Sequence, residues 1–253
     1  MKTFERLSDW VSLRQELKQH NRTIGFVPTM GALHEGHISL VNQAKKENDF
    51  TFVSIFVNPT QFNSKEDLEK YPRSITEDIS LLNAAGVDAI LLPNENEIYE
   101  DNFRFKITEN KFSKILCGAY RPDHFDGVLT VVMKLLGIAQ ADRCYMGEKD
   151  FQQYLLIKDM RESFFLKTKI ISCPTIRESS GLAMSSRNER LSTENKVKAA
   201  IIYKYLHEKK TVADVRQSLE DSGFKVEYVE EIYGRRFVAA WLENVRLIDN
   251  VKI

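Results

Sequence analysis

The feature of this sequence that most constrains its fold is an alternation of short apolar runs with helix-periodic segments. The apolar runs, which are typical of buried strands, lie at 23–27, 50–57, 88–92, 143–146 and 168–173. The helix-periodic segments lie between them, at 38–47, 74–86, 127–139 and 150–163. Because such alternation is typical of parallel sheets covered by helices, it predicts a Rossmann-like, doubly wound α/β fold, whose ligands bind beyond the carboxyl ends of the strands.

The pattern changes after Pro174, where a long polar stretch begins. Two helix-like segments and then two strand-like runs follow this stretch, at 193–208, 211–221, 224–232 and 235–248. Helices followed by neighbouring strands are typical of a small α+β unit. The sequence therefore predicts two domains, a Rossmann-like domain over 1–174 and a C-terminal α+β cap over 175–253.

The helix expected over 74–86 carries its own end signals. Ser74 and Glu77 have the spacing of a capping box, and Gly86 stands where a helix often ends. Glu77 and Asp78 lie in the first turn of this helix and are candidates to approach a metal ion.

Composition excludes several classes of partner. Lysine plus arginine and aspartate plus glutamate number 36 each, so no net charge draws the chain to nucleic acid or to an anionic membrane. The longest apolar stretches, such as VVMKLLGIA, are far shorter than the ~18 residues of a membrane-spanning helix. Cys117, Cys144 and Cys173 lack metal-site or redox spacing, and no secretory segment precedes them. We therefore expect free thiols in a reducing cytoplasm.

The stretch PTMGALHEGH (28–37) joins the first of these predicted strands to a helix. A helix that begins near residue 34 would direct unpaired backbone N–H groups at a ligand, and Gly31 and Gly36 allow the ligand to come close. His34 and His37 are three residues apart, so both face one side of the first turn and can donate to phosphate oxygens. The context favours a phosphate site over a metal pair or two surface histidines, because no further Cys or His supplies the remaining metal ligands.

Polar residues also follow other predicted strands. Gln61 follows the second strand, and its amide suits a small molecule with hydroxyl and carboxylate groups, although a plain loop residue is the alternative. Lys149 and Asp150 follow Gly147 at a helix start, where the lysine suits a phosphate and the aspartate suits a ribose hydroxyl or a helix cap. Solvent-exposed charges at a helix start are the competing interpretation. Gln153 is one turn further along the helix, so it can face the same cleft.

Two arginines are further candidate cations. Arg187 lies in a polar loop after Ser185 and Ser186, where it can grip phosphate oxygens with two hydrogen bonds and then release them as the loop opens. Ordinary turn chemistry is the alternative for this loop. Arg121 can bind a substrate carboxylate or phosphate, or form a surface salt bridge.

The stretch PTMGALHEGH resembles the HIGH motif of the nucleotidyltransferase superfamily, and more specifically that of the AMP-forming pantoate:β-alanine ligases, the pantothenate synthetase family. Six further stretches fit the pattern of this family in the right order: SIFVNPTQF (54–62), YPR (71–73), RPDHFDGV (121–128), MGEKDFQQ (146–153), MSSRN (184–188) and RLIDN (246–250). The resemblance covers nearly the whole chain.

The resemblance implies an ATP-dependent ligase that joins D-pantoate to β-alanine through a pantoyl adenylate and releases AMP and pyrophosphate. The implied catalytic residues are His34, His37, Lys149 and Arg187, with His37 as a proton donor or as a stabiliser of charge. The implied ATP-binding residues are Met30, Gly31, Ala32, Leu33, His34, Glu35, Gly36, His37, Gly147, Glu148, Lys149, Asp150, Ile176, Met184, Ser185, Ser186 and Arg187. Gln61, Gln153 and Arg121 are the expected substrate-binding residues.

The resemblance also implies a cytoplasmic homodimer that uses Mg²⁺ carried on the ATP phosphates, with no protein metal site. The chain departs from the family pattern at Cys117 and Asp123, where glutamate and glycine are expected, so the shape of that loop can differ. The stretch from Val229 to Phe237 also looks shorter than usual.

Three other functions compete with this one. A related nucleotidyltransferase that acts on pantetheine phosphate or nicotinate mononucleotide would share the histidine motif but lack the pair of Gln61 and Gln153. A noncatalytic nucleotide-binding protein would have little reason to keep Lys149 and Arg187. A metal-binding protein built on His34 and His37 is the weakest alternative.

Overall fold

A computed structural model describes residues 1–253. The strands are β1 (Lys2–Phe4), β2 (Ile24–Thr29), β3 (Phe50–Ile55), β4 (Ala89–Leu91), β5 (Arg143–Gly147), β6 (Lys169–Cys173), β7 (Lys225–Ile232), β8 (Arg235–Leu242) and β9 (Val245–Lys252). The helices are α1 (Leu7–Gln19), α2 (Glu35–Glu47), α3 (Lys65–Glu69), α4 (Ile75–Ala84), α5 (Glu95–Ile98), α6 (Cys117–Tyr120), α7 (His124–Ala139), α8 (Phe151–Ser163), α9 (Thr193–Ala199), α10 (Ile201–His207) and α11 (Val212–Asp221). None of these helices has the length and apolar character needed to cross a membrane.

The main sheet has six strands in the order β1-β4-β3-β2-β5-β6, and its paired strands run parallel. The chain passes from β2 outward through β3 to β4 and then crosses back to β5, which lies on the other side of β2. This reversal makes the β2–β5 boundary the switch point of the sheet, where ligands of doubly wound folds bind. The carboxyl ends of these two strands, Thr29 and Gly147, border that point.

The five predicted strands of this sheet are present, whereas β1 and α1 were not predicted. β1 has only three residues, and α1 buries only Trp10, Arg14 and Leu17, so neither gives a strong periodic signal. The ring of Trp10 stacks on Phe52 at 3.9 Å between centroids, and its Nε1 donates to the carbonyl of Ile138. Burial of such a ring stabilises the fold by roughly 1.5–3 kcal/mol, so α1 is an integral cover of the sheet.

Several predicted boundaries were wrong. The helix expected over 193–208 breaks at Ala200 into α9 and α10, and the run over 235–248 contains a turn at Glu243, whose φ is +51°, that separates β8 from β9. Ser74 makes no capping hydrogen bond to the backbone, because its hydroxyl donates to Asp78 at 3.3 Å. Gly86, with φ of +69°, does fill the left-handed position after α4.

The C-terminal strands form a separate antiparallel sheet in the order β7-β8-β9. Side chains alternate along β8: Phe237 and Ala239 pack into the main apolar cluster, whereas Val238 and Ala240 pack into a second cluster with α10 and α11. Because the main cluster includes side chains from both sides of residue 174, the clusters do not decide the division there, which stays a prediction. The short stretch noted in the sequence is a tight hairpin that turns at Tyr233 and Gly234.

Candidate active site

The histidine loop leaves β2 and becomes the first turn of α2. His34 is the N-cap of this helix, and its Nδ1 accepts from the Gly36 N–H at 3.1 Å, while Nδ1 of His37 accepts from the His34 N–H at 3.3 Å. The two rings lie 4.2 Å apart between centroids. Since both Nδ1 atoms accept, each neutral ring carries its proton on Nε2 and can donate it to a ligand.

The environment keeps both histidines uncharged. Burial and the charge of Lys149 lower the pKa of His34 to about 4. Burial and the charges of His34 and Lys149 lower the pKa of His37 to about 3. At neutral pH the pair therefore presents two neutral N–H donors beside a lysine cation.

Most backbone N–H groups of this loop have partners within the protein, unlike the unpaired groups predicted for the start of the helix. The N–H groups of Ala32 and Leu33 donate to the carboxylate of Asp78 at 2.9 and 2.7 Å, and that carboxylate is almost completely buried. The Gly31 N–H donates to the Thr29 hydroxyl at 3.3 Å. Asp78, a candidate to approach a metal ion, instead ties α4 to the loop and fixes its path.

Most of the predicted site residues line one cavity of about 250 Å³ at the switch point. Those that line it are Met30, His34, Gly36, His37, Gln61, Arg121, Gly147, Lys149, Asp150, Gln153, Ile176, Met184, Ser185, Ser186 and Arg187. Those that do not are Gly31, Ala32, Leu33, Glu35 and Glu148. A second cavity of about 520 Å³ faces the C-terminal sheet and shares Arg121, Lys149, Asp150, Ser185 and Arg187 with the first.

Lys149 lies just before α8, in a 3₁₀ turn over Glu148–Asp150, and not in the first turn of that helix as predicted. Its Nζ lies 3.5 Å from the carboxylate of Asp150, and its side chain is about one-fifth exposed (21%). The charge of Lys149 lowers the pKa values of both His34 and His37. The lysine is therefore close enough to bind the same ligand as the two rings.

Gln61 is held in place by Asn58, which the sequence did not single out, and by Met30, which the family resemblance implied. Asn58 donates to its Oε1 at 3.1 Å, and its own Nε2 lies 2.8 Å from the sulfur of Met30. Asn58 is buried and also accepts from the hydroxyl of Tyr99 at 2.6 Å. These contacts fix the side chain of Gln61 in the lining of the cavity.

Arg121 has no carboxylate partner within ion-pair distance. Its guanidinium donates to Nε2 of His124 at 3.0 Å and to the carbonyl of Gln61 at 3.3 Å, while Nδ1 of His124 donates to the same carbonyl at 2.8 Å. Burial, with the charges of Arg187 and Arg246, lowers the pKa of Arg121 to about 10, so it stays charged at neutral pH. An unpaired, half-buried cation at a cavity is suited to bind an anion.

The two departures from the family pattern flank Arg121. Asp123 has a φ of +60°, a left-handed conformation that glycine adopts most easily and aspartate tolerates. The thiol of Cys117 lies 3.0 Å from the hydroxyl of Tyr228 and 3.6 Å from the guanidinium of Arg246. The loop is therefore closed by contacts between the main domain and the C-terminal sheet.

Arg187 is bound to an acidic partner. Its Nη2 lies 3.0 Å from the carboxylate of Asp67 on α3, which also binds Arg190 at 3.1 Å. Burial acts to raise the pKa of Asp67, but the charges of Arg187 and Arg190 outweigh it and hold that pKa below its ordinary value. The hydroxyls of Tyr71 and Ser186 meet at 3.3 Å in the same contact.

The site has no ready set of metal ligands. No three His, Cys, Asp or Glu side chains are arranged to hold a metal ion. His34 and His37 use their Nδ1 atoms as acceptors within the loop, and Asp78 is paired with backbone N–H groups. Asp150 is the carboxylate that lines the 250 Å³ cavity, so the lining offers a magnesium ion at most one carboxylate ligand.

A model of the family described as pantoate-beta-alanine ligase matches residues 1–252. The chain belongs to the pantoate-beta-alanine ligase family. It is 52% identical over 236 residues to the pantothenate synthetase of Bdellovibrio bacteriovorus, covering 93% of this chain and 94% of that protein. It is 47% identical over 250 residues to the pantothenate synthetase of Legionella pneumophila, covering 99% of each.

Solved structures of pantoate-beta-alanine ligases agree with this assignment. The Francisella tularensis enzyme, complexed with beta-gamma ATP and beta-alanine, aligns with a TM-score of 0.94 and 44% identity over 100% of this chain and 97% of its own. Pantothenate synthetase from Thermus thermophilus aligns with a TM-score of 0.89 and 35% identity over 100% of this chain and 99% of its own. The predicted family and fold class are confirmed.

Proposed function

We propose that this chain catalyses the ATP-dependent condensation of D-pantoate with β-alanine, which yields pantothenate, AMP and pyrophosphate. Membership of the pantoate-beta-alanine ligase family supports this reaction. The observation that carries it is the set of side chains at the switch-point cavity. Two neutral histidine donors and Lys149 lie there with Gln61 and Gln153, so phosphate-binding and hydroxy-acid-binding groups face one space.

In the first step the pantoate carboxylate attacks the α-phosphorus of ATP. A bond forms between a carboxylate oxygen and phosphorus, the bond to the β-phosphate oxygen breaks, and pyrophosphate leaves. In such transfers the protein mainly positions the reactants and stabilises charge. The Nε2–H groups of His34 and His37 and the cation of Lys149 supply this stabilisation, while Gln61 and Gln153 orient pantoate.

The protonation states argue against His37 as a general acid. Its pKa of about 3 in the free protein leaves it almost wholly neutral at pH 7, so it has no second proton to give before the triphosphate binds. A neutral N–H donor can still bind the charge that develops on a phosphate oxygen. We therefore assign His37 to charge stabilisation, which was one of the two roles expected from the family.

Arg187 acts after a change of partner. In the free protein Asp67 occupies its guanidinium, and the triphosphate of ATP competes for the same donors. Exchange of Asp67 for phosphate would draw the loop over the nucleotide, and its reversal would release pyrophosphate.

In the second step the amine of β-alanine attacks the carbonyl of pantoyl adenylate. The new C–N bond displaces AMP, and the nitrogen loses a proton. A mixed anhydride is already reactive, so alignment of the amine supplies most of what is needed. Arg121, with no carboxylate partner of its own, is placed to bind a substrate carboxylate.

Further parts of the proposal concern the surroundings of the site. Mg²⁺ would travel on the ATP phosphates, since such ions usually keep several waters and few protein ligands. A homodimer is expected from the family. Three buried free cysteines are compatible with a reducing cytoplasm.

The proposed function is tested by following pyrophosphate and AMP from ATP and magnesium. D-pantoate alone should release pyrophosphate once per enzyme, and sustained AMP release should begin only when β-alanine is added. Release that does not depend on pantoate, with ATP still bound, would exclude the ligase and favour another nucleotidyltransferase. Tight ATP binding without any turnover would favour the noncatalytic alternative.

A further inference from the structure

Asp249 and Asn250 are adjacent residues on β9 that each contact a different loop of the active site. Both are buried, with 5% and 3% of their surface exposed. Successive side chains on a strand point in opposite directions, so neighbouring residues can reach two separate segments. Neither residue lines the 250 Å³ cavity.

Asn250 holds the turn that carries Lys149. Its Nδ2 donates to the carbonyl oxygens of Glu148 and Lys149, at 2.8 and 3.0 Å. Its Oδ1 accepts from Arg235 at 2.5 Å, and Arg235 also pairs with the carboxylate of Glu148 and lies over the ring of Phe151. The backbone of Lys149 is therefore tied to the C-terminal sheet.

Asp249 holds the segment that leads to Arg187. Its carboxylate binds Arg177 through two hydrogen bonds, at 2.6 and 2.9 Å, and also accepts from the Asn250 N–H at 2.8 Å. Arg177 donates to the carbonyl of Gly181 at 3.1 Å and lies 3.7 Å from the ring centre of Tyr203. Arg177 is thus fixed by three partners.

A short hairpin connects Arg177 to the loop that carries Arg187. Arg177 forms an antiparallel bridge with Ala183, and the Met184 N–H donates to the carbonyl of Ile176 at 3.0 Å. Asn188, the residue after Arg187, donates to the carbonyl of Ala183 at 3.0 Å. A shift of Arg177 would therefore be passed to the backbone beside Arg187.

We propose that Asp249 and Asn250 are positioning residues that fix the distance between the loops carrying Lys149 and Arg187. The proposal rests on the proposed function, because it assumes that both cations act on one triphosphate. Because Asp249 and Asn250 are neighbours on β9, they hold the two loops in a fixed relative position, so that the loops form a single binding surface. A displacement of about 1 Å in such a surface can cost about 100-fold in rate.

The variant Asn250→Asp tests this role with little change in volume. It keeps an acceptor for Arg235 but places a carboxylate oxygen against the two carbonyls that Nδ2 now binds. Pantoate-dependent pyrophosphate release in a single turnover should fall about 10- to 100-fold. The second half-reaction, started from supplied pantoyl adenylate and β-alanine, should change much less, because the proposal needs both cations only on the triphosphate of the first step.

Glu231→Gln is the matched control. Glu231 pairs with Arg236 at 2.6 Å within the C-terminal sheet and contacts neither loop. This variant weakens one arginine contact of the C-terminal sheet without touching either loop. It should keep both half-reactions near the wild-type rate. Equal losses in the two half-reactions of Asn250→Asp, with a matching loss in the control, would overturn the positioning role.

A mutant cycle with Lys149→Ala provides the sharper measurement. If Asn250 acts through Lys149, then Asn250→Asp should slow pyrophosphate release no further once Lys149 is gone. If Asn250 had a merely structural role, the fold-losses in rate of the two single variants would multiply in the double variant. That result would refute the proposal. Should Asn250→Asp fail to fold, Asn250→Ser offers the same comparison without the added charge.

Calorimetric titration with ATP separates this inference from the proposed function. Wild-type protein that binds ATP but releases no pyrophosphate with pantoate would refute the proposed function alone. In that case, an ATP affinity about 10-fold weaker in Asn250→Asp than in wild type and Glu231→Gln would still support positioning of the two loops. Equal affinities in all three proteins would overturn it.

Discussion

The carboxylate of Asp67 lies 3.0 Å from Nη2 of Arg187 and 3.1 Å from Nη1 of Arg190, so one side chain of α3 binds two arginines of the loop that follows Ser185. An anionic substrate that needs these arginines must take the place of Asp67. Under the proposed function, ATP phosphates compete with Asp67 for these arginines, so the ion pair would oppose ATP binding in the free protein.

The variant Asp67→Asn should lower the KM for ATP by about 2- to 10-fold, because a neutral amide competes less well for the guanidinium groups. Steady-state kinetics with saturating pantoate and β-alanine would measure this. Glu66→Gln is the control, since Glu66 lies on the same helix, loses the same charge and pairs only with Lys70. A higher KM in Asp67→Asn would mean that Asp67 positions Arg187 in the nucleotide complex.

Substitution of His37 should separate hydrogen-bond donation from acid catalysis. His37→Ala should slow pantoate-dependent pyrophosphate release about 100-fold, because it removes a preorganised donor. His37→Gln can still donate from its amide and should lose distinctly less. Single-turnover rates would decide this: equal losses in both variants would contradict the neutral-donor role, and near-normal release by His37→Ala would remove His37 from catalysis.

Gly127 and Gly137 on α7 form a natural pair for testing how Gln61 is placed. A Cβ at Gly127 would overlap the carbonyl of Thr60 and lie 2.8 Å from the backbone nitrogen of Gln61. A Cβ at Gly137 would meet nothing within 4 Å. Gly127→Ala should therefore raise the KM for pantoate more than that for ATP, and destabilise the fold by about 1–3 kcal/mol.

Gly137→Ala should leave both KM values unchanged and raise the free energy of unfolding by up to about 1 kcal/mol, because alanine favours the helix. Denaturant unfolding and initial rates would test the two variants together. Equal rises of the two KM values in Gly127→Ala would show that the change disturbs more than the pantoate position.

Buried neutral histidines should make stability depend on pH. Burial and the charge of Arg121 lower the pKa of His124 to about 3, whereas an unfolded histidine has a pKa of about 6.5. The unfolded chain binds the proton first, so the free energy of unfolding should fall as pH drops from about 6.5 toward about 3. His124→Gln should flatten this slope between pH 7 and 5, whereas exposed His20→Gln should not. Parallel slopes in wild type and His124→Gln would contradict the assignment.

The sequence predicted five of the six strands of the main sheet because each of them, unlike β1, forms an apolar run long enough to recognise. The sequence also predicted that His34, His37, Lys149 and Gln61 lie together, because the carboxyl ends of parallel strands share one edge of the sheet. All four line the same cavity. These predictions needed only spacing along the chain and the family motifs.

The contacts that complete the site were not predicted, because they join distant residues. Asp78 binds amides 45 and 46 positions away, and Asn58 reaches the carbonyl of Gly127, 69 positions away. No local pattern distinguishes such residues from ordinary helix-start or loop positions. For the same reason, the sequence did not reveal that amides of the histidine loop donate to Asp78.

The alternation of side chains along β8 has a consequence for how the protein melts. Phe237 contributes to one apolar cluster and Val238 to the other, so β8 cannot leave its place without exposing both. The predicted boundary at residue 174 would therefore separate two architectures but not two independently stable bodies. Heating should give a single cooperative transition, and a chain cut at that boundary would leave an apolar face of each half open to solvent.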